Sequence, residues 1–285
     1  MSLELYLPHV TKSILSKYQF HLTKGLGQNF LVDGHIIDKI TTASKLSSED
    51  EILEIGPGIG TLTQQLAKKA EKVVAIEIDQ ALKVIHKETL PEKNITILYH
   101  DFLKMNLQQL FSDHFKGLNV KVIANIPYYI TTPIIMKILE EKIPVKSITV
   151  MVQKEVADRF AASPGTKTYG AISAVVQYYC QVEIPFIVPK TVFIPQPKVD
   201  SAVMILSPHH EPPVDVTNET LFFDIIKGAF SQRRKTFVNA VSSSVPTLKK
   251  DDLIDALEKL GYNPAIRGEK LSIHDFATIT NYFNS

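Results

Sequence analysis

The stretch EILEIGPGIGT, residues 51–61, decides the fold, because a short apolar strand runs directly into closely spaced glycines. Glycines at a strand-to-helix turn let a ligand approach the backbone, and the helix that follows offers free N–H groups. A dinucleotide fingerprint needs glycine at its first, third and sixth positions, but here the sixth position is Thr61. The turn predicts a nucleotide-type cofactor. NAD is disfavoured, and a purely structural tight turn is the other alternative.

Strand-like and helix-like segments alternate on both sides of this turn. Asp33 is suited to cap a helix whose apolar residues recur at helical spacing. The predicted strands are 51–55, 73–76, 95–98, 120–124 and 148–152, and the predicted helices are 62–70, one with Thr132 as N-cap and Pro133 as first residue, and one from Glu155. This alternation predicts an α/β fold, with a parallel sheet covered by helices on both faces.

The pattern changes after Val182. Strand-like stretches at 184–188 and 201–206 flank a proline-marked loop and predict a hairpin that closes the sheet, and Pro208, Pro212 and Pro213 mark a linker. Segments of helical period follow at 221–230, 237–241, 253–260 and 273–283. We therefore predict a first domain over 1–207 and a smaller all-helical domain over 208–285.

The composition is that of an ordinary globular protein, with 285 residues, 45% hydrophobic and 21% charged, and a mean hydropathy of +0.04. No apolar run approaches the roughly 20 residues of a membrane-spanning helix. Cys180 is the only cysteine, which excludes an internal disulfide and a cysteine-rich zinc site, and we expect it in the core. These features predict a cytoplasmic protein without a metal. The net charge of +1 does not by itself indicate a nucleic-acid partner.

Two carboxylates follow predicted strands and are candidate cofactor ligands. Glu77 ends the second strand, where this architecture places an acceptor for both hydroxyls of a ribose. Asp101 follows the third strand, where its carboxylate is placed to accept from the amine of a cofactor adenine. Without a cofactor, the two would be a solvated strand-end charge and an ordinary loop aspartate.

The sequence NIPY at 125–128 is the most specific feature. An adenine N6 amine is a poor nucleophile because its lone pair is delocalised into the ring. An amide oxygen from Asn125 and a backbone carbonyl in a turn stiffened by Pro127 would accept from its N–H groups and orient that lone pair. The ring of Tyr128 would stack on the base. These residues leave DNA, RNA, protein glutamine and small molecules open as methyl acceptors, and a merely structural turn remains the alternative.

Two further segments suit a nucleic acid. Phe193 lies in a proline-rich loop that could hold its ring over the opposite face of an unstacked base, although a buried loop phenylalanine is the simpler interpretation. The adjacent cations Arg233, Arg234 and Lys235 suit a phosphate backbone, whereas a lone charge run is more commonly a solvated face.

Taken together, the segments resemble the small-subunit ribosomal RNA adenine N6-dimethyltransferases nearly from end to end. The matching segments are LGQNFL at 26–31, EIGPGIG at 54–60, VAIEID at 74–79, NIPY at 125–128, VQKEV at 152–156, YG at 169–170, the Phe193 loop with KVDSAV at 198–203, and RRKT at 233–236. The resemblance implies a Rossmann-like methyltransferase sheet with a helical C-terminal domain. It implies S-adenosyl-L-methionine as cofactor, and transfer of two methyl groups to each of two adjacent adenosines in a hairpin near the 3′ end of small-subunit rRNA.

The resemblance also assigns roles by matching position. It implies cofactor contacts from Asn29, Leu31, Gly56, Glu77, Asp101 and Asn125, base contacts from Asn125, Tyr128 and Phe193, and RNA contacts from Arg233, Arg234 and Lys235. The implied partner is the immature small ribosomal subunit, on which a monomer would act. Many relatives have Asn at the position of Tyr129 and Leu at that of Ile126. Because of Tyr129, we expect the pocket wall of this chain to differ in shape from theirs.

Other functions stay open at this stage. The large-subunit rRNA adenine N6-methyltransferases of the macrolide-resistance type share the QNF and NIPY patterns, but VQKE, YG and RRKT favour the small-subunit enzymes. A ribosome-assembly factor in which catalysis is secondary and a nicotinamide-dependent oxidoreductase are alternatives from other classes. The latter has no second signature in the sequence.

Overall fold

Alternating strands and helices are followed by consecutive helices. The computed structural model describes residues 3–117 and 119–284, apart from the side chain of Lys24. In this part of the chain the strands are β1 Phe30–Leu31, β2 Glu51–Ile55, β3 Lys72–Glu77, β4 Ile95–Tyr99, β5 Val120–Asn125, β6 Ser147–Gln153, β7 Cys180–Val188, β8 Phe193–Ile194 and β9 Ser201–Pro208. The α-helices are α1 Pro8–Lys17, α2 Gly34–Ala43, α3 Thr61–Ala67, α4 Lys83–Thr89, α5 Leu107–His114, α6 Thr131–Glu140, α7 Lys154–Phe160, α8 Ala171–Tyr179, α9 Glu219–Ser231, α10 Phe237–Ser244, α11 Lys250–Lys259 and α12 Ile273–Tyr282.

The main sheet is seven-stranded, in the order β4-β3-β2-β5-β6-β9-β7. The first five strands in this order are parallel, whereas β9 runs antiparallel to β6. Strands β2 and β3 are buried along almost their whole length, as expected of parallel strands covered on both faces, although Glu51, Glu54 and Glu77 lie among their apolar residues. The predicted α/β class and the late return of the chain to the sheet edge are confirmed.

The N-termini of two helices show when the local sequence is sufficient to predict where a helix begins. Asp33 caps α2, as predicted, because its side chain accepts from the backbone N–H of Ile36 at 3.0 Å. The predicted start of α6 is wrong. A 3₁₀ turn over Tyr128–Ile130 runs straight into a helix that begins at Thr131, so Thr132 is not the N-cap. The turn that follows Asn125 therefore provides the start of the helix.

Two compact units divide the chain. The first contains the residues up to Ala157 together with Glu183–Pro208, and the second contains Asp158–Val182 and the chain from His209 on. The break after Pro208 lies next to the predicted boundary, but the segment 158–182 differs from that prediction by belonging to the second unit. It does so because α8 packs against α9, where the Tyr178 and Phe222 rings lie 5.2 Å apart.

The first unit has a core on each side of the glycine turn. One cluster joins the sheet to α2 and α3, and the other packs Leu5 and Ile14 of the N-terminal segment against Phe30 and Ile59. Cys180 is buried, as predicted. Among the described helices, none has both the length and the apolar character needed to cross a membrane.

Candidate functional site

One pocket collects the residues that follow the carboxyl ends of β2, β3, β4 and β5. In an open parallel sheet these ends meet at one edge, where ligands bind. The residues of the predicted site that line it are Asn29, Leu31, Gly56, Glu77, Asp101, Asn125 and Tyr128. Within the described chain, no group of three or more His, Cys, Asp or Glu residues could hold a metal ion.

The glycine turn gives a ligand room to approach the backbone. Gly56 has a φ of +72°, and a Cβ added there would come no nearer to another side chain than 3.7 Å, at Pro127. Gly58 has a φ of +60° and faces the ring of Phe30, which an added Cβ would meet at 2.9 Å. Both positions favour glycine because their φ angles are positive. At Gly58 a side chain would also collide with the ring of Phe30, and at Gly56 it would occupy the space next to the backbone that a ligand can approach.

Glu77 lies across from this turn with both carboxylate oxygens held in place. Its Oε2 accepts from the backbone N–H of Gly58 at 3.1 Å, and its Oε1 accepts from that of Asp79 at 2.8 Å. Each oxygen keeps a further lone pair, so the carboxylate can still accept from two neighbouring hydroxyls. Burial raises the pKa of Glu77 to about 7, against the opposing effect of the two backbone donors.

His86, which belongs to no recognisable motif, contacts Gly58 from the other side. Its Nε2 lies 2.5 Å from the Gly58 carbonyl oxygen and its Nδ1 lies 2.8 Å from the Tyr99 hydroxyl. Because a carbonyl only accepts, Nε2 carries the proton, and Nδ1 of the neutral ring accepts from Tyr99. Burial lowers the pKa of His86 and keeps the ring neutral. The Gly58 peptide is thus fixed by Glu77 at its nitrogen and by His86 at its oxygen.

A second carboxylate, Glu54, lines the same pocket. Only 1% of the residue is exposed, and its Oε2 has no hydrogen-bond donor among the described residues. Burial raises the pKa of Glu54 to about 8. A buried acceptor without a partner is costly unless a ligand completes it, and a cationic group would do so best.

Asp101 has one oxygen engaged and one available. Its Oδ1 caps the turn Phe102–Lys104 by accepting from the backbone N–H of Leu103 at 3.1 Å. Its Oδ2 lies 3.5 Å from Lys104 Nζ, a largely exposed ammonium. The carboxylate is therefore oriented by the chain and can accept from one more donor.

The amide of Asn125 is held by a segment far away in the sequence. Its Nδ2 donates to the backbone carbonyl of Asn29 at 3.0 Å, while the Asn29 side chain donates to the Gly27 carbonyl. Within the described chain nothing donates to Asn125 Oδ1, so this oxygen remains an acceptor. Next to it, the Tyr128 hydroxyl lies 2.6 Å from Ser201 Oγ, which fixes the ring at the pocket wall. An oriented amide oxygen and an anchored ring are the parts that a planar amine substrate requires.

Comparison with known proteins identifies the family. The model of the family described as ribosomal RNA adenine dimethylase matches residues 19–285. The chain belongs to this family. Relatives named ribosomal RNA small subunit methyltransferase A, from Bacillus mycoides (strain KBAB4) and Bacillus anthracis (strain A0248), are 50% identical over 98% of this chain and 97% of their own length.

Comparison with solved structures supports the same family assignment. A dimethyladenosine transferase from Plasmodium falciparum has a TM-score of 0.74 at 29% identity, over 90% of this chain and 97% of that one. The 23S rRNA methyltransferase ErmE, at 24% identity over 90% of this chain and 100% of that one, has a TM-score of 0.66 and shares the fold. The chain is an S-adenosylmethionine-dependent methyltransferase of ribosomal RNA. The nicotinamide alternative is thereby excluded.

Phe193, which is predicted to contact the base, is buried in this structure. The ring is 3% exposed, does not belong to the pocket wall, and lies in the core cluster that contains Leu31. The two residues are register partners in the small antiparallel sheet of β1 and β8. In this position the ring does not line the pocket, so a contact with the base would require it to move. It supports Leu31, which does reach the pocket.

In the second unit, a basic cleft extends the run at 233–235. Arg233 and Arg234 line it together with Lys167 and Arg267, and Arg233 donates to the Lys167 carbonyl at 2.9 Å. All four side chains are exposed. Lys235 is also exposed but is not part of the cleft wall. The sequence did not single out Lys167 and Arg267, because isolated cations on separate loops carry no local signal.

Proposed function

We propose that this family member transfers methyl groups from S-adenosylmethionine to the N6 amines of two adjacent adenosines, in a hairpin near the 3′ end of small-subunit rRNA. The observation that carries the proposal is the orientation of Asn125. Its Nδ2 is committed to the Asn29 carbonyl, which leaves Oδ1 as the acceptor in the pocket. The relatives named for the small subunit favour this substrate over large-subunit rRNA.

The pocket residues fit the parts of the proposed cofactor. Glu77 accepts from the two ribose hydroxyls with the lone pairs that Gly58 and Asp79 leave free, and Asp101 accepts from the adenine amine with its available oxygen. Asn29, Leu31 and Gly56 complete the wall. Glu54, whose Oε2 has no hydrogen-bond partner among the described residues, is part of the same pocket wall, and a positively charged group beside it would favour the ionised carboxylate. When bound, S-adenosylmethionine supplies an electrophilic methyl group.

The protein's contribution to the reaction is to orient the amine. Asn125 Oδ1 accepts one N6–H, and we assign the second acceptor to the Ile126 carbonyl. The Pro127 carbonyl already accepts from the backbone N–H of Ile130 at 3.2 Å, whereas nothing in the described chain donates to that of Ile126. With both N–H groups held, the nitrogen lone pair points away from them and toward the methyl group.

Charge and protons balance without a protein base. Bound S-adenosylmethionine would give up its methyl group and leave as a neutral thioether, so the amine nitrogen would take up the positive charge. The nitrogen then releases one N–H proton to solvent. The monomethylated amine keeps one N–H, so a single acceptor is sufficient for the second round. Oriented neutral acceptors such as the Asn125 amide favour the developing charge without fixing the amine as an ion pair.

Tyr128 holds the base. Its hydroxyl is anchored by Ser201, so the ring is already ordered when the target adenine leaves its stack. An aromatic ring against a nucleobase contributes about 1–3 kcal/mol. The basic cleft formed by Lys167, Arg233, Arg234 and Arg267 is the proposed RNA-contacting surface of the helical C-terminal domain, with Lys235 beside it in sequence.

The proposed setting is the immature small ribosomal subunit in the cytoplasm, with the chain acting as a monomer. The relatives' name supports the small subunit.

The test is transfer of labelled methyl groups to unmodified small and large ribosomal subunits, followed by nucleoside analysis. We expect N6,N6-dimethyladenosine in small-subunit rRNA only. Label in large-subunit rRNA alone, or in neither, would contradict the proposal. A variant with Arg233 and Arg267 both changed to Gln is expected to weaken subunit binding and to reduce its salt dependence, while cofactor affinity stays unchanged.

A further inference from the structure

Tyr129 presents an aromatic ring at the mouth of the pocket. It is 55% exposed, lines the pocket, and directly follows the proposed base-stacking residue Tyr128 in the 3₁₀ turn. Single exposed apolar side chains are ordinary on a protein surface, and what distinguishes this ring is that it also lines the pocket. Its hydroxyl has no hydrogen bond within the described part of the chain, which leaves the ring as its contact surface.

The ring is held in place by the turn that precedes the Asn29 loop. A Cβ added to Gly27 would lie 3.3 Å from Tyr129 Cδ1 and 3.4 Å from Cε1, so the ring lies closely over this glycine. Gly27 has a φ of +58°, and the Cβ of Pro127 lies 3.8 Å from the same point. One part of the ring is thus packed while the rest faces outward. Binding to it costs little side-chain ordering, because the backbone has already restricted it.

We infer that Tyr129 stacks on the nucleobase adjacent to the target adenosine and so holds the RNA while the target enters the pocket. The inference rests on the proposed function. When one base is extruded, its neighbour loses a stacking partner, and an exposed ring at the entrance can replace it. Because the two substrate adenosines are adjacent, one of the two neighbours of either target is an adenine, which has a large stacking surface.

The competing role is structural, since the contact with Gly27 also links the Asn29 loop to the turn after Asn125. Variants that change either the shape or the aromaticity of the side chain distinguish the two roles. Tyr129→Phe keeps the ring and loses only the hydroxyl. Tyr129→Leu keeps an apolar group over Gly27 but loses the aromatic face. Val84→Ala is the matched surface control, because Val84 is 52% exposed and is not part of the pocket wall.

The experiment measures equilibrium binding of each full-length variant to unmodified small subunits, beside calorimetric binding of S-adenosylhomocysteine. Stacking predicts wild-type subunit affinity for Tyr129→Phe and for Val84→Ala. It predicts a loss of roughly 5- to 100-fold for Tyr129→Leu, the range expected for one base–aromatic contact. Affinity for S-adenosylhomocysteine should be the same in all four proteins.

Two results would overturn the inference. Equal subunit affinity of the Leu and Phe variants would show that the residue only packs on Gly27. A parallel loss of S-adenosylhomocysteine affinity would place Tyr129 in the cofactor wall instead. Binding is measured apart from methyl transfer, so a wild-type protein that binds the subunit without methylating it would refute the proposed function and still decide the role of Tyr129.

Discussion

The amide nitrogen of Asn125 donates to the backbone carbonyl of Asn29 at 3.0 Å, across 96 positions of sequence. This bond uses one of the two N–H groups of the Asn125 amide and so fixes the orientation of the amide, which leaves Oδ1 as the acceptor. It also couples the loop that enters β1 to the turn that follows β5. The orientation of one side chain therefore depends on two segments of the chain.

Replacing Asn125 tests this orientation directly. Asn125→Ala removes the acceptor, and we expect methyl transfer to fall by about 100-fold or more, the range seen when one oriented polar group is removed from a reaction centre. Asn125→Asp is the matched control for size. It retains an acceptor but cannot donate to Asn29, so it should also be impaired. Labelled methyl transfer, with circular dichroism to check folding, measures the effect. Near-wild-type dimethylation by the Ala variant would refute the assigned role.

Glu77 predicts a pH dependence of cofactor binding. Hydroxyl donors favour the ionised carboxylate, and burial raises its pKa to about 7, so part of the carboxylate is protonated below that pH. Affinity for S-adenosylhomocysteine should therefore rise with pH, by roughly 10-fold between pH 6 and 8. Glu77→Gln should bind weakly and lose this rise, as measured by calorimetry at several pH values.

The control for that experiment is Glu54→Gln. Glu54 titrates in a similar range, since burial raises its pKa to about 8. If Glu77 causes the dependence near pH 7, the Glu54 variant retains it. If the Glu54 variant loses the dependence and the Glu77 variant retains it, the assignment is reversed.

His86 is expected to be a positioning residue for the glycine turn. His86→Leu leaves the Gly58 carbonyl and the Tyr99 hydroxyl without their partner, at a cost of about 1–3 kcal/mol for each buried group. We expect a lower free energy of unfolding and weaker S-adenosylhomocysteine binding. His86→Gln keeps a donor and should recover part of the affinity, while Tyr99→Phe removes only the outer bond. Wild-type cofactor affinity in His86→Leu would contradict the role.

Phe193 should affect stability more than the chemical step. Its ring is 3% exposed within the core, so Phe193→Ala should lower the free energy of unfolding by about 3–5 kcal/mol. Phe193→Leu keeps most of the volume and should cost less. Urea denaturation measures both. A Phe193→Ala protein of unchanged stability that no longer methylates would restore the base-stacking role that the sequence suggested.

The α/β class and most of the pocket residues follow from short local segments of the sequence. Residues 51–61 and 125–128 have their chemistry in a few consecutive positions, and the turns they form depend mainly on local backbone preferences. Because the carboxyl ends of parallel strands meet at one edge, the order of strands was sufficient to bring Gly56, Glu77, Asp101 and Asn125 together.

The direction of individual side chains and the contacts between distant residues depend instead on how the whole chain packs. The strand that contains Phe193 has two residues, too few for alternation to show which face is buried, and packing against Leu31 placed the ring inside. The contacts of His86 with Gly58, of Lys167 with Arg233, and of Tyr129 with Gly27 join segments that carry no common local signal. These contacts form because the close packing of the folded chain determines which polar groups and rings become neighbours.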